Sequence, residues 1–281
     1  MNMEAIMMDS GGRIGMLFRM LIALVLVGAV CFPLRAQAQV AHPGYVVLGD
    51  SIDFGVGSSE GGYVIPFRDY LADPSRFGSA IDVHNFSQPT GVECRDVAHN
   101  ELPPSIVEIQ THRPSGVVVS LGCGGNDLRH FIQSPQAATC LQDVSCLARI
   151  NALLNEIEQT VDLMLKTLRF FAGPESAILV RTQYNPLLVP RCDLQGRAAL
   201  GEAALEGGVG LLQRGLNDRL RDLAKEHGAK VAELHQPFAE RAQMGIDDFV
   251  EPPGQECIHP NDAGYAVIVD AFIKGFNSPD P

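Results

Sequence analysis

The sequence predicts an α/β fold, a three-layer sandwich in which helices cover both faces of a central parallel sheet of about five strands. Short apolar runs rich in β-prone residues recur along the chain at Tyr45–Leu48, Val117–Ser120 and Ala177–Val180. They are separated by stretches with apolar residues three and four apart, and strand alternates with helix throughout. The runs are too continuous for strands with one wet face, so they read as buried parallel strands.

The elements follow in order. Tyr45–Leu48 is the first strand, closed by Gly49, and Ala80–Phe86 is a further strand candidate before Val117–Ser120. Leu147, Ile150, Leu154, Ile157, Val161, Met164, Leu165 and Leu168 then mark one face of a long helix. After the strand Ala177–Val180, Leu212, Leu216, Leu220 and Leu223 define a second helix ending at His227-Gly228, where glycine can take the left-handed cap. Another strand begins near Lys230. A last helix begins at Asn261 or Asp262, since either side chain can accept bonds from the first helical amides. The tail from Asn277 onward is expected to fray. In such a sheet ligands sit at the carboxyl ends of the strands, which directs attention to the loops after Leu48, Phe86 and Leu121.

The N-terminus is set apart from this fold. Arg13 and Arg19 precede an apolar run from Met20 to Phe32, followed by Ala36-Gln37-Ala38. That order describes a signal peptide over residues 1–38 with cleavage after Ala38, and Met16 is an alternative start. The apolar run is shorter than the roughly 20 residues of a membrane span and ends at Pro33 and Arg35, so no stable span is expected after cleavage. Val30 before Cys31 argues against a lipid anchor. Residues 39–281, about 240 in number, suit a single α/β domain, exported to a secreted or periplasmic destination.

The formal charge of −12 opposes a nucleic-acid partner, which would call for a basic patch. With Cys31 removed, six cysteines remain at positions 94, 123, 140, 146, 192 and 257. An even number in an oxidising compartment points to disulfides. Cys257-x-His259 has no partners at zinc spacing, so no metal and no cofactor are expected.

After the first strand comes Gly49-Asp50-Ser51-Ile52, with a glycine-rich turn through Gly55 and Gly57. Glu60 stands where a dinucleotide fingerprint needs its third glycine, and the Gly-x-Ser-x-Gly elbow is absent. Three further segments change the meaning of this serine: Asn85 to Gly91, Gly124-Gly125-Asn126-Asp127, and Glu256-Cys257-Ile258-His259-Pro260-Asn261. Together and in this order they resemble the four blocks of the SGNH (GDSL) hydrolase family, whose flavodoxin-like sandwich matches the fold read above.

The resemblance implies a serine esterase or lipase of the secreted branch, acting on a small-molecule or lipid ester; a monomer is the expectation for the chain, though no residue pattern specifies its oligomeric state. The same resemblance makes Ser51 the nucleophile, His259 its general base, and Ser51, Gly91 and Asn126 the oxyanion donors. The family has Asp three residues before the histidine, and here that position is Glu256. Either Glu256 orients His259, or a backbone carbonyl does so and leaves a Ser51–His259 dyad. The resemblance also favours cysteine pairing in chain order, Cys94 with Cys123, Cys140 with Cys146 and Cys192 with Cys257. Asp50 and Asp127 read as loop braces, and the other histidines as structural or solvated.

A carbohydrate deacetylase or an acyltransferase would use the same residues, and an inactive secreted binding protein would keep only the fold. The last lacks its usual mark, since both nucleophile and base are present and the sequence has no tryptophan for a sugar platform.

Overall fold

The computed structural model describes residues 42–193, 196–250 and 257–279. The signal-peptide segment and Glu256 lie outside them. Five strands form one parallel sheet in the order β2-β1-β3-β4-β5, where β1 is Gly44–Leu48, β2 Asp82–Asn85, β3 Val117–Leu121, β4 Ala177–Arg181 and β5 Lys230–Ala232. This is the expected three-layer sandwich, because a side-chain period of two sends each strand's residues alternately to two separate cores.

One core takes Val46 and Leu48 of β1, Val117, Val119 and Leu121 of β3, and Ile178 and Val180 of β4. The helices packed on it, in chain order after α1 (Ser51–Phe54) and α2 (Val64–Ala72), are α3 (Leu102–His112), α4 (Gly125–Ile132), α5 (Val144–Ala172), α6 (Ala198–Glu206) and α7 (Leu216–Glu226). The other core takes Tyr45, Val47, Val118, Leu179 and Ala232 against α2, α8 (His235–Gln243) and α9 (Asp262–Asn277).

The eight apolar residues read as one face of the long helix are all buried along α5. Asp143 caps its start by accepting bonds from Ser145 N and Cys146 N. Gly228 takes φ +60° beyond the end of α7, and the Asn261 side chain accepts from Gly264 N at the start of α9.

Two expectations need correction. Leu212 is not on the second helix: Gly207, Gly208 and Gly210 have left-handed φ, and Gly215 packs so closely that a Cβ there would meet the Leu205 backbone at 2.2 Å. Helix α7 therefore starts at Leu216, and Leu212 reaches the core from a turn. Nor does the chain fray at Asn277, which is the last residue of α9 and donates to Tyr70 Oη, while Lys230 Nζ donates to the carbonyls of Phe276 and Ser278.

The strand order reverses beside β1, whose neighbours β2 and β3 come from opposite sides. The crevice at such a reversal, above the carboxyl ends of the strands, is where open α/β sheets bind ligands. Ser51 follows β1 there and Asn126 follows β3.

Candidate active site

Ser51 is the first residue of α1. Asp50 caps that helix by accepting from Ile52 N at 2.9 Å, and Asp53 reaches back to accept from Asp50 N at 3.0 Å, a reciprocal box that fixes the turn. The helix stops after one turn at Gly55, which has φ +96° and is packed against Gly61. Ser51 is thus held at a short, rigid strand-to-helix corner, with its side chain at the crevice.

His259 Nε2 lies 3.0 Å from Ser51 Oγ. At that distance the hydroxyl donates to the ring's lone pair, the geometry a serine needs in order to lose its proton as it attacks. The loop carrying His259 is fastened on several sides: Tyr184 Oη donates to Ile258 O, Val250 N donates to His259 O, and Cys257 is disulfide-bonded to Cys192. Gly57 lets the Ser51 loop pass beneath it, since a Cβ there would lie 2.6 Å from Pro260 O. Tyr265 of α9 donates to the carbonyls of Ile52 and Val56, and Asp262 accepts from Ser58 and Ser59. These bonds tie the serine and histidine loops to each other.

Asn126 stands in the first turn of α4, buried, and its Nδ2 donates to Val92 O at 3.0 Å. An amide nitrogen carries two hydrogens, so a second donor remains on this group. Gly91 is its neighbour: a Cβ at Gly91 would be 3.5 Å from Asn126 Oδ1. The loops of these two residues are laced by the Cys94–Cys123 disulfide and by Cys94 N donating to Asp127 Oδ2. Asp127 therefore braces its own loop through its backbone amide, as expected, and also reaches across to the Cys94 loop. Burial raises its carboxyl to about 6, against the opposing pull of the Cys94 amide. The third disulfide joins Cys140 to Cys146, so the described cysteines pair in chain order.

Behind the serine is a charged layer that the sequence did not announce. Arg181, the last residue of β4 and wholly buried, donates to Asp50 and Asp53, while Tyr63 Oη donates to Asp53 Oδ1 at 2.7 Å. Burial raises the Asp53 carboxyl, and the guanidinium opposes that shift. Glu101, 2 % exposed, accepts from Gly49 N at 2.8 Å, and burial pushes its carboxyl up to about 8. Gln183 completes the frame, donating to Cys123 O and accepting from Arg181. An arginine ending an otherwise apolar strand was a usable signal for Arg181; nothing in its surroundings singles out Glu101.

A cavity of about 180 Å³ opens beside Ser51 and Asn126. Its walls include Leu128 and Ile132 of α4, Tyr184 and Leu187 beyond β4, Leu205 of α6 and Ile258 next to the histidine. An apolar recess next to a serine–histidine pair suits the acyl group of an ester, with the carbonyl at the polar mouth.

Residues 47–267 match the family model of the GDSL-like lipase/acylhydrolase family. Among solved structures, the lipase Lip_vut3 from a goat rumen metagenome is similar over 83% of this chain and 96% of its own, at 19% identity and a TM-score of 0.59. The acetyl xylan esterase AlAXEase is similar over 82% of this chain and 98% of its own, at 16% identity and a TM-score of 0.53. A lipolytic G-D-S-L family member from Veillonella parvula gives 84% and 100%, at 17% identity and a TM-score of 0.50. At these identities the likeness is one of fold. No curated protein matches the chain.

Proposed function

The chain belongs to the GDSL-like lipase/acylhydrolase family, and from that premise we propose that it is a secreted serine esterase in which Ser51 forms an acyl-enzyme and His259 is the general base. The observation that carries this reading is the 3.0 Å approach of His259 Nε2 to Ser51 Oγ at the mouth of an apolar cavity. Ser51 Oγ attacks the ester carbonyl as its proton passes to Nε2. Negative charge on the carbonyl oxygen is met by the amides of Ser51 and Gly91 and by Asn126 Nδ2. The histidine returns the proton to the leaving alcohol, then takes one from the water that releases the acid. Glu256 is proposed to orient His259 and to stabilise its imidazolium.

The small volume and branched walls of the cavity support acetyl to butyryl esters over palmitoyl esters. Acetylated sugars belong among the substrates to be tried, because one protein sharing the fold is an acetyl xylan esterase. Export is proposed on the leader at residues 1–38, ahead of one catalytic domain at 39–281, and is supported by three disulfides, which persist in oxidising compartments. The chain is proposed to act as a monomer. No helix among the described residues is long and apolar enough to cross a membrane.

The test is hydrolysis of an acyl-length series, with sugar acetates included, by the oxidised mature protein and by Ser51→Ala. The proposal expects an active wild type with a short-chain preference and a Ser51→Ala variant slower by about 10⁴-fold or more. Glu256→Gln separates a triad from a dyad. Equal inactivity of wild type and Ser51→Ala on every ester would overturn the reading.

A further inference from the structure

Away from Ser51, three side chains that the proposed hydrolysis does not use converge on one another. His84 lies on β2, while Glu108 and His112 stand one turn apart near the end of α3. The Nε2 atoms of the two imidazoles are 3.0 Å apart. Glu108 Oε2 lies 3.5 Å from His84 Nδ1 and 3.9 Å from His112 Nε2. One ligand atom from each of the three falls within 4.8 Å of the others.

The surroundings prepare this cluster. His112 Nδ1 is 2.8 Å from the carbonyl oxygen of His42. A proton on Nδ1 makes that bond, which leaves the Nε2 lone pair facing the cluster, the arrangement by which a backbone carbonyl orients a metal-binding histidine. The side chain is 8% exposed and packs against the start of β1, where a Cβ at Gly44 would come within 2.6 Å of His112 Cγ. Gly44 is outside the left-handed region, so glycine is needed there for room and not for conformation. His84 and Glu108 are each about one-third exposed, which leaves one side of the cluster open to water.

We propose that His84, Glu108 and His112 bind a divalent transition-metal ion of the zinc class, with solvent completing its coordination. Two imidazoles and a carboxylate are a donor set that zinc accepts, at about 2.0–2.2 Å from each atom. Ligand atoms 3.0 and 3.9 Å apart can both reach one such ion, and a sub-ångström side-chain adjustment brings in the full set. The ion fastens the edge strand β2 to α3 near the start of β1, the end opposite Ser51. It takes no part in ester cleavage. In sequence the site is hidden, because its only local signal is a glutamate four residues before a histidine.

Asp162, Glu226 and His227 form a second group of metal-ligating types. There Asp162 is already paired with Lys166 at 2.6 Å and with His227 at 2.7 Å, a closed ion-pair network that makes it a suitable control.

Chelator-treated full-length mature protein is titrated with zinc chloride by calorimetry, and its thermal melt is recorded across zinc concentrations. One equivalent should bind, and Tm should climb with free zinc as linkage requires. His84→Gln and Glu108→Gln, on partly exposed positions, should each weaken binding at least about tenfold and flatten the zinc dependence of Tm while keeping the wild-type circular dichroism spectrum. His227→Gln should bind as wild type does, and His84→Gln should cleave esters at the wild-type rate. Absence of a stoichiometric event, its survival in both cluster variants, or its loss in His227→Gln overturns the proposal.

Discussion

Arg181 donates from one guanidinium nitrogen to Asp50 at 2.7 Å and to Asp53 at 2.8 Å, so a single buried cation joins the carboxylates one residue before and two residues after Ser51. All three side chains are sealed from solvent. Removing the cation leaves two carboxylates in a low-dielectric interior, and truncating one partner of a buried pair costs about 3–5 kcal/mol. Arg181→Met should lose stability on that scale in urea unfolding. Arg181→Lys should recover part of it, because an ammonium keeps the charge without the planar fork. A loss below about 1 kcal/mol for Arg181→Met would show that the pair contributes no more than a surface salt bridge.

Glu101 and Asp127 give the protein a pH dependence of definite sign. Burial raises both carboxyls, to about 8 and about 6. The folded chain therefore holds protons there that the unfolded chain has already released, and stability falls as pH rises across that interval. Their contribution is complete below the ordinary carboxylate range; Asp127's is lost as pH passes about 6 and Glu101's as it passes about 8. Thermal melts from pH 5 to 9 should show a shallower decline for Glu101→Gln than for wild type, and parallel curves would refute the assignment.

Asn126→Ala should lower kcat by roughly 10²–10³-fold, the usual cost of one oxyanion donor, with KM little changed. The same side chain holds Val92 O, so the melt of the variant must be measured beside its kinetics. A variant that is destabilised but turns over normally would assign Asn126 to the loop alone.

Replacing Cys94 and Cys123 together by serine should cost about 2–4 kcal/mol. It should also reduce turnover, because that bridge holds the Gly91 loop to the Asn126 loop. Loss of stability with an unchanged kcat would separate bracing of the fold from bracing of the site.

The strands and the long helix were legible in the sequence because each has a period of its own: continuous apolar runs for β1, β3 and β4, and three-four spacing through α5. Ser51, Gly91, Asn126 and His259 could be picked out as candidates because their neighbours form ordered blocks, and the structure brings His259 to Ser51 and Gly91 to Asn126. Of the charged layer under the serine, only Arg181 left a signal, as an arginine ending an apolar strand; its partners and Glu101 were hidden, since Arg181 and Glu101 meet Asp53 and Gly49 only after the sheet has formed. The start of α7 was misread for a related reason. Leu212 keeps the leucine spacing of that helix, yet the glycines around it decide the backbone, and burial alone does not distinguish a helical leucine from one delivered by a turn.

Ser51 leaves the first strand of the sheet, whereas His259 sits just ahead of the last helix, 208 positions later. Under the proposed mechanism, a polypeptide emerging N-terminus first carries its serine long before it has the histidine that would activate it. On that mechanism turnover begins only when the final turn of the fold closes over the first, so ester cleavage can serve as a clock for complete maturation, blind to every partly threaded chain.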